Sequence, residues 1–240
     1  SMAAPARLTL RTNTLRATRV HLLEMIAAAG VRAVPTPESP WGIWLPEGRP
    51  PGGGVWQLPG FEQGLFEVQD EGSQLIALAT EAAPGERIVD YCAGRGGKTW
   101  ALASLVAPDG VVHVWDVDED AKRQVMGARA QKNGAAGLVR VLEEAPSPAT
   151  LLADAVLVDA PCSSTGALRR HPSQRWAVDE AGVARLTAVQ LEVLGQGAQL
   201  VRPGGRLVYA TCSLLAAENS GVAAAFEASA AAESRPGQPG

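Results

Sequence analysis

Residues 87–99 read RIVDYCAGRGGKT. An apolar run, Arg87–Tyr91, stops at a loop carrying Gly94, Gly96 and Gly97, and a helical pattern, Lys98–Val106, follows. Glycines at a strand end let the backbone approach a ligand, and the N-terminus of the next helix favours an anionic group. Outward from this unit the chain keeps alternating. Val111–Trp115 reads as a strand, Asp118–Asn133 as a helix stopped by Gly134, and Gly137–Leu142 as a weak strand. Ala155–Val158 is a short apolar strand followed by a long loop. Residues 179–201 place Val183, Leu186, Val189, Val193 and Leu194 on one helical side, and Pro203-Gly204-Gly205 turns into a last strand, Arg206–Thr211. Strands separated by helices predict an α/β fold with a doubly wound, parallel, Rossmann-like sheet. After Phe226 the chain is alanine, serine, glycine, proline and charges, which predicts a frayed tail over 227–240.

Upstream the grammar differs. Leu8–Leu15 is extended, Arg16–Ala29 carries Val20, Leu23, Ile26 and Ala27 at helical spacing, and Val31–Val34 follows Gly30. Trp41–Leu45 and Val55–Leu58 are strand candidates in a segment rich in proline and glycine, and Gln69–Ala83 reads as a helix. The expectation is a small α+β module over residues 1–70 and an α/β domain over 71–240. With 46% hydrophobic and 19% charged residues in 240, the chain is not a disordered one. It has no apolar run long enough to span a membrane and no signal-peptide core, and its three cysteines are an odd number set far apart. These features predict a reduced, cytoplasmic protein with no membrane partner. The net charge of −4 hides local basic patches: Arg7, Arg11, Arg16 and Arg19 precede the first acid, and Arg169, Arg170, His171 and Arg175 lie in an acid-free stretch.

In an open α/β sheet, ligands bind at the carboxyl ends of the strands, and four such ends hold unusual residues. The first is the loop Cys92-Ala93-Gly94-Arg95-Gly96-Gly97-Lys98. The second is Asp116, at the spacing where an acid holds ribose hydroxyls. The others are Asp159-Ala160-Pro161-Cys162 and Thr211-Cys212-Ser213. The loop also approaches a phosphate-binding pattern, but Cys92 stands where its first glycine belongs. Buried, inert cysteine is the usual fate of the residue; two at neighbouring strand ends facing a nucleoside site suggest another use. Alkylation of a pyrimidine at carbon 5 needs a thiolate to add at carbon 6, a second group to help remove the carbon-5 proton, and an acid near ring nitrogen 3. The residues alone leave open which cysteine attacks.

Cys92–Thr99, Asp159–Trp176 and Leu207–Ser220 resemble the Sun/NSUN family of RNA cytosine-5 methyltransferases, in particular its RsmB-like members, and the resemblance runs from about Leu8 to Phe226. It rests above all on Asp159-Ala160-Pro161-Cys162-Ser163-Ser164-Thr165-Gly166, continuing through Arg169-Arg170-His171-Pro172 to Trp176, and on Tyr209-Ala210-Thr211-Cys212-Ser213 followed by Glu218-Asn219-Ser220. It implies a class I methyltransferase sheet behind an RRM-like RNA-binding module. The implied cofactor is S-adenosylmethionine, held by Cys92–Lys98, by Asp116 and by Asp159. It further implies Cys212 as nucleophile and Cys162 as the group that assists product release, with Asp159 completing the catalytic set. RNA, most simply small-subunit (16S) ribosomal RNA, is the implied partner, with Arg11, Arg169, Arg170 and His171 as contacts; the implied protein is a monomer without a metal.

The sequence departs from the family pattern in places. Gly94-Arg95 stands where the family has alanine-proline. Glu143 replaces the aspartate expected near the adenine. A NusB-like domain and a final aromatic-rich strand are not found in these residues, as expected of a fragment. Two other functions are compatible with the pattern: an RNA-binding assembly factor that keeps the fold without turnover, and a phosphate-loop nucleotidase.

Overall fold

The most apolar strands of the molecule lie at its centre. In the computed structural model, which describes residues 7–50, 52–125, 128–170 and 178–233, a five-stranded sheet of order β7-β6-β5-β8-β9 is parallel throughout. Its strands are β5 (Arg87–Asp90), β6 (Val111–Val114), β7 (Val139–Val141), β8 (Ala153–Asp159) and β9 (Val201–Ala210). Ile88, Val89, Val156, Leu157 and Val158 are fully buried, as expected of strands covered on both faces. Alternation along the strands sends Ile88, Ala155 and Leu157 toward α3 (Gly97–Val106), with Trp100 and Leu102. It sends Val89, Val156 and Val158 to the opposite face, against Leu200 and Val193 at the end of α6 (Glu180–Gln199). Chain order reverses between β5 and β8, so the crevice opens over the carboxyl ends of those two strands.

The N-terminal module is a second, antiparallel sheet of order β2-β3-β1-β4, made of β1 (Leu8–Thr12), β2 (Val34–Pro35), β3 (Gly42–Leu45) and β4 (Phe66–Val68). One helix, α1 (Arg19–Ala28), covers it, buries Leu22 and Ile26 on Leu10, Ile43, Leu45 and Phe66, and is capped by the Thr18 side chain, which accepts from the His21 amide at 3.2 Å. Val55–Leu58 is not a strand. Gly52 and Gly54 take positive φ, and Gly54–Gln57 forms a 3-10 turn that sends Val55 and Leu58 into this same core. The fourth strand is instead Phe66–Val68.

Further differences from the sequence reading follow local chemistry. The helix expected over Gln69–Ala83 is α2 (Glu71–Leu78) with Asp70 at its N-cap, and the one expected over Asp118–Asn133 is described as α4 (Glu119–Val125) and α5 (Ala128–Asn133). β9 begins at Val201, with a bulge that absorbs Pro203-Gly204-Gly205 between its pairings at Val201 and Arg206. The stretch after Phe226 is not frayed throughout: α7 (Ser220–Glu233) continues through it, because alanine favours helix wherever nothing forbids it. Among the described residues no helix is long and apolar enough to cross a membrane.

The two sheets are joined by a polar seam. Asn13 Nδ2 donates to the Gly64 carbonyl at 2.8 Å and to the Asn133 carbonyl at 2.9 Å. Asn133 Nδ2 and the Arg129 guanidinium both donate to the Glu67 carboxylate, at 3.0 and 3.1 Å. Gly64 (φ 68°) lies so close to α5 that a Cβ there would stand 2.2 Å from the Lys132 carbonyl oxygen. Gly64→Ala is therefore expected to cost about 2 kcal/mol or more, through both strain and displacement of α5. A lowered urea midpoint relative to a matched Gly137→Ala control, where a Cβ meets open space, checks it.

Candidate active site

The loop that leaves β5 is shaped by two residues in the left-handed region, Gly94 (φ 52°) and Gly96 (φ 77°), the latter being the N-cap of α3. The Gly94 amide donates to Asp116 Oδ2 at 2.7 Å, while the other Asp116 oxygen accepts from the Asp118 amide at 2.8 Å. Each oxygen keeps a lone pair for a further donor. A cleft of about 520 Å³ lies beside them, walled by Trp115, Val117, Pro161, Val189 and Val193. Val117, 84% exposed, is an apolar side chain with no packing role, as befits the edge of a flat heterocycle's site. A second cleft of about 460 Å³ shares Cys92, Gly94 and Asp159 with the first and extends past Arg95 and Lys98 to Gln69 and Asp70.

Asp90, which the sequence reading passed over, is the deepest group in this second cleft. It is 1% exposed; one oxygen accepts from Thr99 Oγ1 at 2.6 Å and the other has no partner. Burial, reinforced by Asp159 and Asp116, pushes its carboxyl up to about 6 from the ordinary 3.8, despite Thr99 and Lys98. Its signal in the sequence is an acid ending an otherwise apolar strand just before the glycines.

The third and fourth strand ends converge. Asp159 pairs with Lys98 of α3. β8 and β9 run level, Asp159 opposite Ala210, and the turns beyond them set Cys162 Sγ 3.3 Å from Cys212 Sγ. The Ser164 hydroxyl stands 3.4 Å from the Cys212 sulfur, on a residue held at φ 56°, a strained conformation for serine. The Gly166 amide donates to the Cys212 carbonyl at 2.8 Å, and a Cβ on Gly166 would sit 2.5 Å from that oxygen. These contacts divide the pair. The Cys162 thiol donates to the Cys212 sulfur and, with the Ser164 hydroxyl and the Lys98 charge, lowers Cys212 to about 6, against burial and Asp159. The same bond holds the Cys162 proton in place and raises that thiol strongly. Cys92, half-buried among carboxylates, is pushed up to about 12, chiefly by burial, and stays a thiol.

Not every expected residue reaches the site. Arg11, expected at RNA, is 1% exposed inside the N-terminal module; its Nε donates to Gln69 Oε1 at 2.6 Å, and burial lowers its pKa to about 10. Leu10 faces the core of the module, so alternation turns Arg11 to the opposite face, level with Glu67 and near Arg129 in the seam, where it offers RNA no surface. Glu143 is exposed and lines neither cleft; its carbonyl accepts from the buried Lys122 at 3.1 Å. Arg170 is at the rim, paired with Asp70 at 3.1 Å, and Arg169 beside it is exposed. His171 and Trp176 lie outside the described residues.

A sequence model described as 16S rRNA methyltransferase RsmB/F matches residues 76–236, and one described as an RsmF/B-like ferredoxin-like domain matches residues 1–50. The chain belongs to the RsmB/F methyltransferase family. A ribosomal RNA small subunit methyltransferase B of Salmonella newport (strain SL254) is 35% identical over 238 residues, 96% of this chain and 54% of that protein. The chain thus spans about half the length of the curated relatives it matches. A crystal structure of a methyltransferase homolog from Pyrococcus horikoshii superposes with a TM-score of 0.77 at 29% identity, covering 92% of this chain and 70% of that one. NSun6 from the same organism, solved with SFG, shares the fold at a TM-score of 0.79 and 18% identity, with 95% and 81% coverage.

The cofactor of this family is S-adenosylmethionine, and the site suits it. Asp90, whose second oxygen has no partner, lines the second cleft, Asp116 lines the first and Asp159 lines both, so three carboxylates stand around the junction of the clefts, where they suit a ligand carrying sulfonium and ammonium charges. Asp116 would hold its ribose, the apolar walls at Trp115 and Val117 its base, and the loop Cys92–Lys98 its amino-acid end. Asp90 is a cost to the fold. The cost is full above about pH 6, where the buried group must ionise, and fades as the pH falls toward its ordinary 3.8. Asp90→Asn is expected to be more stable than the parent by about 1–3 kcal/mol at about pH 8 and equal to it near pH 4. Urea midpoints at the two pH values check this.

Proposed function

We propose that the chain forms 5-methylcytosine in RNA, most directly small-subunit ribosomal RNA, through a covalent bond between Cys212 and carbon 6 of the target base. The observation that carries the reading is the pair of unlike sulfurs 3.3 Å apart beside the Asp159–Lys98 ion pair. Carbon 5 of cytosine is a poor nucleophile until something adds at carbon 6. Cys212, with its lowered pKa, is present as thiolate at neutral pH and makes that addition. Asp159, oriented by Lys98, faces the ring-nitrogen edge; a proton drawn from solvent is shared between it and nitrogen 3 in the adduct and is returned to solvent on elimination. S-adenosylmethionine supplies the electrophilic methyl group that carbon 5 then accepts.

Release follows from the same contact. While Cys212 is a thiolate, Cys162 is held protonated by donating to it. Once Cys212 has become a thioether that bond is lost, and Cys162 can give its proton to solvent and take the one on carbon 5. Elimination then frees the methylated base and restores the Cys212 thiolate next to a Cys162 thiol, with one proton released overall. The target base must leave its stack to reach the sulfurs, at a cost of a few kcal/mol. Arg170 stands at the rim where the flanking phosphates would pass, with the exposed Arg169 next to it in the chain. The names of the relatives, rRNA small subunit methyltransferases B, support the choice of RNA.

Cys212→Ala is expected to abolish 5-methylcytosine, read by nucleoside mass spectrometry after incubation with ribosomal RNA. Cys162→Ala is expected to accumulate a protein–RNA adduct that survives denaturant. An adduct trapped by Cys212→Ala instead would exchange the two roles.

A further inference from the structure

Six residues beyond Cys212, in the alanine-rich stretch that leads into α7, stands Glu218. Its side chain is fully buried. Both of its oxygens point back at the cysteine turns. Oε1 accepts from the Ser163 amide at 2.8 Å and from Gln190 Nε2 at 2.9 Å. Oε2 accepts from the Ser163 hydroxyl and from the Ser213 hydroxyl, the latter at 2.5 Å. Ser163 follows Cys162 and Ser213 follows Cys212, so one carboxylate binds the neighbour of each reacting residue. Gln190 adds a third element, since its Nε2 also donates to the Pro161 carbonyl at 2.8 Å. The far side of Glu218 is anchored too: Tyr209 donates to its backbone carbonyl at 2.7 Å, and Asn219 accepts from Thr211 Oγ1 at 2.6 Å.

An isolated carboxylate would not stay ionised in such a place; four donors on two oxygens keep it so, and hold its pKa below the usual carboxylate range against the penalty of burial. A pair of β-strands fixes the height at which two turns begin, but not the separation of side chains several residues into those turns. The serine–carboxylate–serine bridge supplies that second constraint.

We propose that Glu218 is a positioning residue that sets the separation of the two sulfurs by clamping the Cys162 and Cys212 turns to one buried carboxylate. The inference rests on the reading of both cysteines as reacting groups, yet its primary test needs neither RNA nor turnover. In Glu218→Gln one acceptor becomes a donor facing hydroxyls that now donate, so the turns separate and Cys212 loses the Cys162 proton it accepts.

The experiment is the pH profile of Cys212 alkylation by iodoacetamide in the folded full chain, read by peptide mass spectrometry, with S-adenosylmethionine affinity measured in parallel. In Glu218→Gln the midpoint of the profile is expected to rise toward the range of an ordinary thiol, slowing alkylation at pH 7 by about ten-fold, while cofactor affinity stays within about two-fold. If that variant does not fold, Ser213→Ala removes one of the four donors and is expected to shift the midpoint the same way by less. Glu218→Asp keeps the charge without the reach, and is expected to fall between the parent and Glu218→Gln. An unmoved alkylation profile in folded Glu218→Gln, with or without a lowered melting temperature, would overturn the proposal. A parent chain that makes no 5-methylcytosine but whose variant shows the shift would overturn the methylation reading and leave the clamp standing.

Discussion

Parallel pairing of β8 with β9 sets Asp159 level with Ala210, and the chemistry of the site follows from what two chains can do after leaving a sheet at the same height. Each turns away within a few residues and each carries a cysteine on its turn, so residues 50 apart in sequence bring their sulfurs to 3.3 Å. Neither turn could be placed this well alone. A loop on the end of a rigid parallel strand inherits the strand's position, and β8 buries five of its seven residues. The same arrangement brings Asp159 against Lys98 of the neighbouring crossover helix, so the acid, the cation and both sulfurs share one scaffold.

A contact between two like groups usually gives each the same chemistry. Here the surroundings break the symmetry: Ser164 and Lys98 act on Cys212, while Cys162 is left as the donor. The difference between the sulfurs thus arises first from the bond between them and then from the Ser164 hydroxyl, with Lys98 only partly offsetting Asp159. Cys92 shows the contrast, since a cysteine in the same crevice but among carboxylates keeps its proton.

The sheet was legible because its strands are nearly continuous apolar runs closed by glycine, proline or aspartate, and their order followed from the alternation with helices. The N-terminal module was read less well. Its strands are two to five residues long, and in so short a window Val55 and Leu58 cannot be told from a strand by periodicity; only the positive φ of Gly52 and Gly54 turns them. Arg11 looked like one of four clustered arginines until the pleat of its strand set it in the seam, level with Glu67. Among the site residues, those at strand ends were visible as chemistry at expected places. Asp90 also ends a strand and Glu218 stood in the motif that carries the resemblance, but neither role was legible, because each comes from burial and from partners 5 to 55 residues away.

The seam of Asn13, Glu67, Arg129 and Asn133 has a consequence for any polymer that enters the crevice. Arg129 not only holds Glu67 but donates to the Arg95 carbonyl at 2.8 Å, and Gln69 donates to the Gly97 carbonyl at 3.0 Å. Gln69 ties the N-terminal module to the glycine loop directly, and Arg129 of α5 does so through Glu67. The two halves therefore form a jig rather than a jaw. With its gap set in advance, the reaction proposed above leaves the work of adaptation to the RNA, whose own flexibility would decide which positions can be presented to the sulfurs.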